Sequence, residues 1–139
     1  VKGMGGVIVI DDTYNSNPAS TRAAISVLNE ISRGHQTIAV LGDMLELGET
    51  GKAEHYDIGR CVAESSIDIL ITLGEMAKHV DAGAAAFGLP DKRRHVAADH
   101  DSAKRLIARF SEEESTVLVK GSRGMQREKI VTGLREGGD

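Results

Sequence analysis

Hydrophobic and polar positions alternate between two periods along the chain. Val7-Ile8-Val9-Ile10 is an unbroken aliphatic run, the habit of a strand buried on both faces of a parallel sheet. It stops at Asp11-Asp12 and a polar turn, Thr13 to Ser16, and Asn17-Pro18 then opens a helix. Asn caps the orphan amides, and Pro suits the first helical position. From Ala19 to Ser32 the apolar positions Ala24, Val27, Leu28 and Ile31 recur at helical spacing, with Gly34 as terminator. Thr37 to Leu41 predicts a second buried strand, ended by Gly42-Asp43. An acidic loop from Met44 to Gly51 follows, and Lys52 to Ser65 presents His55, Ile58, Val62 and Ala63 on one helical face.

The alternation continues. Ile67 to Leu73 predicts a third strand, and Glu75 to Phe87 a helix with Ala77, Val80, Ala84 and Phe87 inward, broken by Gly88-Leu89-Pro90. His95-Val96-Ala97 is a short strand placed near an edge by the preceding Lys92, Arg93 and Arg94. Asp99 or Asp101 caps a helix to Phe110 with Ala103, Leu106, Ile107 and Phe110 inward. Thr116 to Lys120 is the last strand, then Gly121-Ser122-Arg123-Gly124 and a final helix through Leu134, with a frayed Gly137-Gly138-Asp139 end. About five strands alternating with about five helices is the rhythm of a doubly wound parallel sheet, with right-handed crossovers placing helices on both faces. Val1 to Gly6 fits no element and reads as the stub of a segment that begins upstream.

Composition narrows the classes. A chain of 139 residues with 40% hydrophobic and 27% charged residues suits one globular domain. Aromatics are only 3%, so the core is aliphatic and stacking platforms for single-stranded nucleic acid are lacking. A net charge of −4 gives no footprint for nucleic acid or acidic membranes. Cys61 is alone, which excludes an internal disulfide, and it falls on an apolar helix side, where a thiol behaves as a small hydrophobe. No apolar run reaches membrane-spanning length and no signal-peptide pattern opens the chain, so a cytoplasmic setting is expected.

Two nucleotide fingerprints are missing. At Gly51-Lys52 the next residue is Ala53, and Glu46 stands where a P-loop needs its first glycine. Gly3, Gly5 and Gly6 precede the first strand, whereas a dinucleotide fingerprint needs glycines after it. Histidines 35, 55, 79, 95 and 100 form no metal-ligand spacing and are expected to be solvated or packed. Three polar loops remain at carboxyl ends of strands: Asp11 to Asn17, Gly42 to Gly48 and Lys120 to Gly124. In the last, Gly121 and Gly124 allow close backbone approach, and Lys120, Ser122 and Arg123 are donors suited to phosphate or carboxylate. An acidic pair after the first strand and a Lys after the last also suit a phospho-acceptor receiver domain, although Thr72-Leu73-Gly74 stands where that class needs its acceptor Asp.

Ile10 to Pro18, Ala39-Val40-Leu41-Gly42-Asp43-Met44-Leu45-Glu46-Leu47-Gly48 and Val119-Lys120-Gly121-Ser122-Arg123-Gly124-Met125 together resemble the C-terminal domain of the Mur ligase family. Within it they are most similar to the branch that joins D-alanyl-D-alanine to UDP-N-acetylmuramoyl-tripeptide in peptidoglycan synthesis. Thr13 and Ser16 stand where Ser and Ala are commoner. The resemblance implies a three-layer α/β/α sandwich with a mostly parallel, Rossmann-like sheet, the last strand lying between the first and second. It also implies an antiparallel strand before the first motif, with Val1-Lys2 as its remnant.

By resemblance, residues 1–139 form one domain, a lid that closes over ATP and the dipeptide. The central ATPase domain, which supplies the P-loop and most Mg²⁺ ligands, and the N-terminal UDP-binding domain would lie elsewhere. The chain alone would then be inactive. Asp12 would accept from ribose hydroxyls, and Tyr14 and Asn15 would line the nucleotide. Asp43, Lys120, Ser122 and Arg123 would serve the dipeptide or the acyl phosphate, Asp43 by ordering its loop or positioning the amine. Asn17 is assigned to capping, and Asp11 to fixing its loop.

Overall fold

The computed structural model describes residues 2–3, 7–12, 17–32, 36–44, 47–110 and 115–120. Six strands are β1 (Lys2–Gly3), β2 (Val7–Asp12), β3 (Thr37–Gly42), β4 (Ile69–Leu73), β5 (Arg94–Ala97) and β6 (Thr116–Lys120). Four helices are α1 (Pro18–Ser32), α2 (Gly51–Ala63), α3 (Lys78–Ala86) and α4 (His100–Phe110). The expected final helix through Leu134, the frayed end and the Gly34 terminator lie outside the described residues.

The strands form one sheet in the order β1-β2-β6-β3-β4-β5. Among the described strands only β1 runs antiparallel, pairing Lys2 with Ile8. Both expectations drawn from the resemblance hold: the last strand lies between the first two long ones, and an antiparallel strand precedes them. Strand β5 takes the far edge beside β4, as its flanking charges suggest.

The alternation of each buried strand supplies two cores. Ile38, Val40, Ile69, Ile71, Leu73, Val117 and Val119 meet Ala103 and Ile107 of α4 on one face. Ala39, Leu41, Leu70 and Leu118 meet Ile25 and Leu28 of α1, Ile58 and Val62 of α2, and Val80 and Ala84 of α3 on the other. A parallel sheet is stable this way because neither face is left to water. The layers are α/β/α.

Capping residues start two helices as anticipated. Asn17 Oδ1 accepts from the Ser20 amide at 2.8 Å. Of the two candidates for α4, Asp99 caps, accepting from the Ser102 amide at 2.7 Å. Two inward assignments fail. Val27 is exposed because the buried arc of α1 is centred on Thr21, Ile25 and Leu28. Phe87 is exposed because α3 ends at Ala86, and the backbone of Phe87 leaves helical geometry. Helix α3 also starts three residues later than its pattern suggests, after a turn that Gly74 permits with φ 123°.

Candidate functional site

The strand order sets the site. Registers pair Asp12 with Lys120 across β2 and β6, and Leu41 with Lys120 across β3 and β6. The carboxyl ends of β2, β6 and β3 therefore sit side by side, and the three motif loops leave from one rim. Ligands of open α/β sheets bind at such carboxyl ends. Asp12 and Lys120 are next to each other at backbone level, and Asp43 follows β3 immediately.

Topology also decides against a receiver domain. Counted over the parallel strands in chain order, receivers run 2-1-3-4-5, whereas this sheet runs 1-5-2-3-4. The first and last strands are neighbours here and are not neighbours there.

Lys120 is buried, 1% exposed. Leu118, two residues earlier, packs on the α1–α3 face, and Lys120 lines a small void on that side with Thr21, Gly42 and Met44. A fully buried Lys is rare without a partner, and Lys120 does engage one. It stands at the base of the rim rather than on its surface.

Asp43 is also buried, 8% exposed, and its Oδ1 accepts from the Ala77 amide at 2.7 Å. The carboxylate of the β3 loop thus closes the turn that begins α3 and ties the ends of two adjacent strands together. A contact of this kind suits the loop-ordering role expected of it. The next residue, Met44, is 4% exposed; its amide donates to His55 Nε2 at 2.9 Å, and the Thr21 hydroxyl approaches its sulfur at 3.6 Å. The helical pattern predicts His55 only as a packed residue of the α2 face. Its two hydrogen bonds have no signature in the sequence beyond a polar ring on an apolar helical stripe.

Tyr14, Asn15, Ser122 and Arg123 lie outside the described residues, as do the Asp11 and Asp12 side chains. Among the described residues, no group of three or more His, Cys, Asp or Glu is arranged to hold a metal ion. No helix there is long and apolar enough to cross a membrane. Cys61 is half-buried, and desolvation pushes its thiol pKa up, with Arg22 opposing and Asp57 reinforcing the shift. A cavity of about 500 Å³ on the outer side of α2, between Lys52, Tyr56, Arg60 and Phe87, shares no residue with the rim motifs.

Residues 1–123 match the family described as Mur ligase, glutamate ligase domain. The chain belongs to the Mur ligase family. Among similar proteins, the UDP-N-acetylmuramoyl-tripeptide–D-alanyl-D-alanine ligase of Bacillus subtilis (strain 168) is 32% identical over 136 residues, covering 98% of this chain and 30% of its own length. The ligase of the same name from Escherichia coli (strain K12) is 34% identical, covering 94% of this chain and 27% of its own. A crystal structure of MurF from Acinetobacter baumannii superposes with a TM-score of 0.82 at 31% identity, over 98% of this chain and 29% of that one. The Mur ligase domain described here therefore spans under a third of the length of these relatives.

Proposed function

We propose that this Mur ligase domain, residues 1–139, is the lid and amine-substrate domain of an ATP-dependent ligase that adds D-alanyl-D-alanine to UDP-N-acetylmuramoyl-tripeptide. The observation that carries this reading is the convergence of the β2, β6 and β3 ends on one rim, in a chain similar over nearly its whole length to ligases of that name. ATP, and the UDP-muramoyl-tripeptide whose carboxylate it activates, are held mainly by the central and N-terminal domains of the longer enzyme. Mg²⁺, which the ATP chemistry calls for, is assigned mainly to ligands in the central domain of the longer enzyme. The setting is the cytoplasm.

The chemistry has two transfers. A tripeptide carboxylate oxygen attacks the γ-phosphorus of ATP, forming an acyl phosphate and releasing ADP. The dipeptide amine, having given up its ammonium proton, then attacks the acyl carbon, and inorganic phosphate leaves as the amide forms. The acyl phosphate is open to hydrolysis, so a lid that excludes water and aligns the amine raises the yield of the second transfer. In this role Asp12 accepts from the ribose hydroxyls, and Tyr14 and Asn15 line the nucleotide. Ser122 and Arg123 meet the dipeptide carboxylate or acyl-phosphate oxygens, a pairing that a bidentate guanidinium suits. Lys120, buried at the end of β6, acts through the fold of the rim, and Asp43 orders the turn that begins α3.

In the ligase assembled with its other domains, Arg123→Ala is expected to lose about 2–4 kcal/mol of transition-state stabilisation, read from kcat/KM. A near-wild-type rate would remove Arg123 from the site. The chain by itself should release no phosphate from ATP, and turnover without added domains would end the lid reading.

A further inference from the structure

We propose that His55, which no motif singles out, is a positioning residue for Asp43 and so for the amine side of the site. The inference rests on the ligase reading above and deepens it.

His55 is fully buried in α2, and both ring nitrogens are engaged. Nδ1 lies 2.6 Å from the Gly51 carbonyl oxygen, which can only accept, and Nε2 lies 2.9 Å from the Met44 amide nitrogen, which can only donate. Those partners fix a neutral ring with its proton on Nδ1. The Met44 amide belongs to the residue after Asp43, at the point where β3 ends. Asp43 in turn reaches forward to the Ala77 amide at the start of α3. One short segment is thus held by α2 through its main chain and by the α3 turn through its side chain.

A packing role alone would be met by any apolar side chain of similar volume. It would leave the Met44 amide buried without an acceptor, and a buried donor cannot stay unpaired cheaply. The segment would shift to find one, carrying the Asp43 carboxylate away from Ala77. A displacement of this kind near 1 Å is enough to cost catalysis dearly. Gln in place of His can accept from Met44 and donate to Gly51, so it restores the link without the ring.

The test uses the full ligase that carries this domain, with ATP, the UDP-muramoyl-tripeptide and D-alanyl-D-alanine. His55→Leu is expected to lower kcat/KM by about ten- to a hundredfold, mostly through the KM of the dipeptide, with His55→Gln within about threefold of wild type. ¹⁵N spectra of the ring should show Nδ1 protonated and Nε2 as an acceptor, a readout that needs no variant to fold. A proton on Nε2 overturns the inference, and so does a Gln variant as impaired as the Leu variant at equal thermal stability. Wild-type kinetics in His55→Leu, with Asp43→Ala impaired, overturns it while leaving the ligase reading intact. Wild-type kinetics in Asp43→Ala, which removes the acceptor for the Ala77 amide, removes Asp43 from the site, and the inference falls with it.

Discussion

Helices α2 and α3 approach so closely that neither tolerates a methyl group at the crossing. A Cβ placed on Gly59 would lie 2.0 Å from the Val80 carbonyl oxygen and 2.6 Å from the Ala84 nitrogen. One on Gly83 would lie 2.0 Å from the Tyr56 carbonyl oxygen. The obstructing atoms are backbone, so no rotamer change relieves them, and the helices must separate by about 1 Å or more to restore van der Waals distance. Gly59→Ala gains about 1 kcal/mol of helix propensity in α2. Against this stands the overpacking cost of about 1–3 kcal/mol or more. Dispersion attraction also weakens where Ile58 and Val62 are drawn away from Val80 and Ala84. Because the obstruction is backbone, the cost lies at the upper end of that range. The clash wins, and the net expectation is a loss of about 2 kcal/mol of folding stability. Urea unfolding of the wild-type and Gly59→Ala chains measures this as a fall in midpoint at constant slope. Because α2 carries His55 and α3 begins at the turn that Asp43 holds, amide exchange at Met44 and Ala77 should quicken too. A Gly59→Ala chain as stable as wild type, or more so, would refute the close-crossing argument.

Three further outcomes follow from the same geometry. Arg94 is only 15% exposed and ties edge strand β5 to α3, its guanidinium 2.9 Å from Asp81 and its Nε donating to the Leu89 carbonyl at 3.0 Å. Arg94→Ala strands a mostly buried carboxylate and should cost about 2 kcal/mol in urea unfolding, more than Asp81→Asn does. Cys61, its thiol pKa raised by burial, holds less thiolate at neutral pH than a free cysteine, so alkylation should be slow at pH 7 and accelerate as pH rises past the usual thiol range. A rate equal to that of a model thiol would contradict this. Lys120→Ala empties a fully buried site at the end of β6 and should lower stability by about 2–4 kcal/mol, measurable in the isolated chain.

The sequence carried the layers well because each strand is an aliphatic run and each helix an amphipathic stripe, and the observed cores follow those two periods residue by residue. Periodicity failed on the flank of one helical stripe and just past the end of another helix. Val27 sits on the flank of a buried arc that turns on Thr21, and Phe87 comes one residue after α3 has ended. The delayed start of α3 was harder to read: the turn before it is held by Asp43, 34 residues upstream, and a contact supplied across the fold leaves no local pattern. Strand order is equally non-local, and it came from the resemblance rather than from spacing. His55 was legible as buried, but what its nitrogens hold depends on where Met44 returns to the helix.

Lys120 changes how the rim should be weighed. The register sets it opposite Asp12 on one side and Leu41 on the other, which makes it the junction of all three motif strands. With the side chain inside, on the α1–α3 face, it engages a partner within the domain, since burying a solitary ammonium would cost far more than the fold could bear. A side chain in that position serves the fold first. In the proposed ligase this moves the weight of direct recognition from Lys120 toward Ser122 and Arg123, the next polar donors along the same loop. Stability and rate therefore separate the two kinds of role. Lys120→Ala should lose both together, whereas Arg123→Ala should lose rate with the unfolding midpoint held. An Arg123→Ala chain that unfolds as early as Lys120→Ala would mean that both cations serve the fold, leaving the amine site to the other two loops.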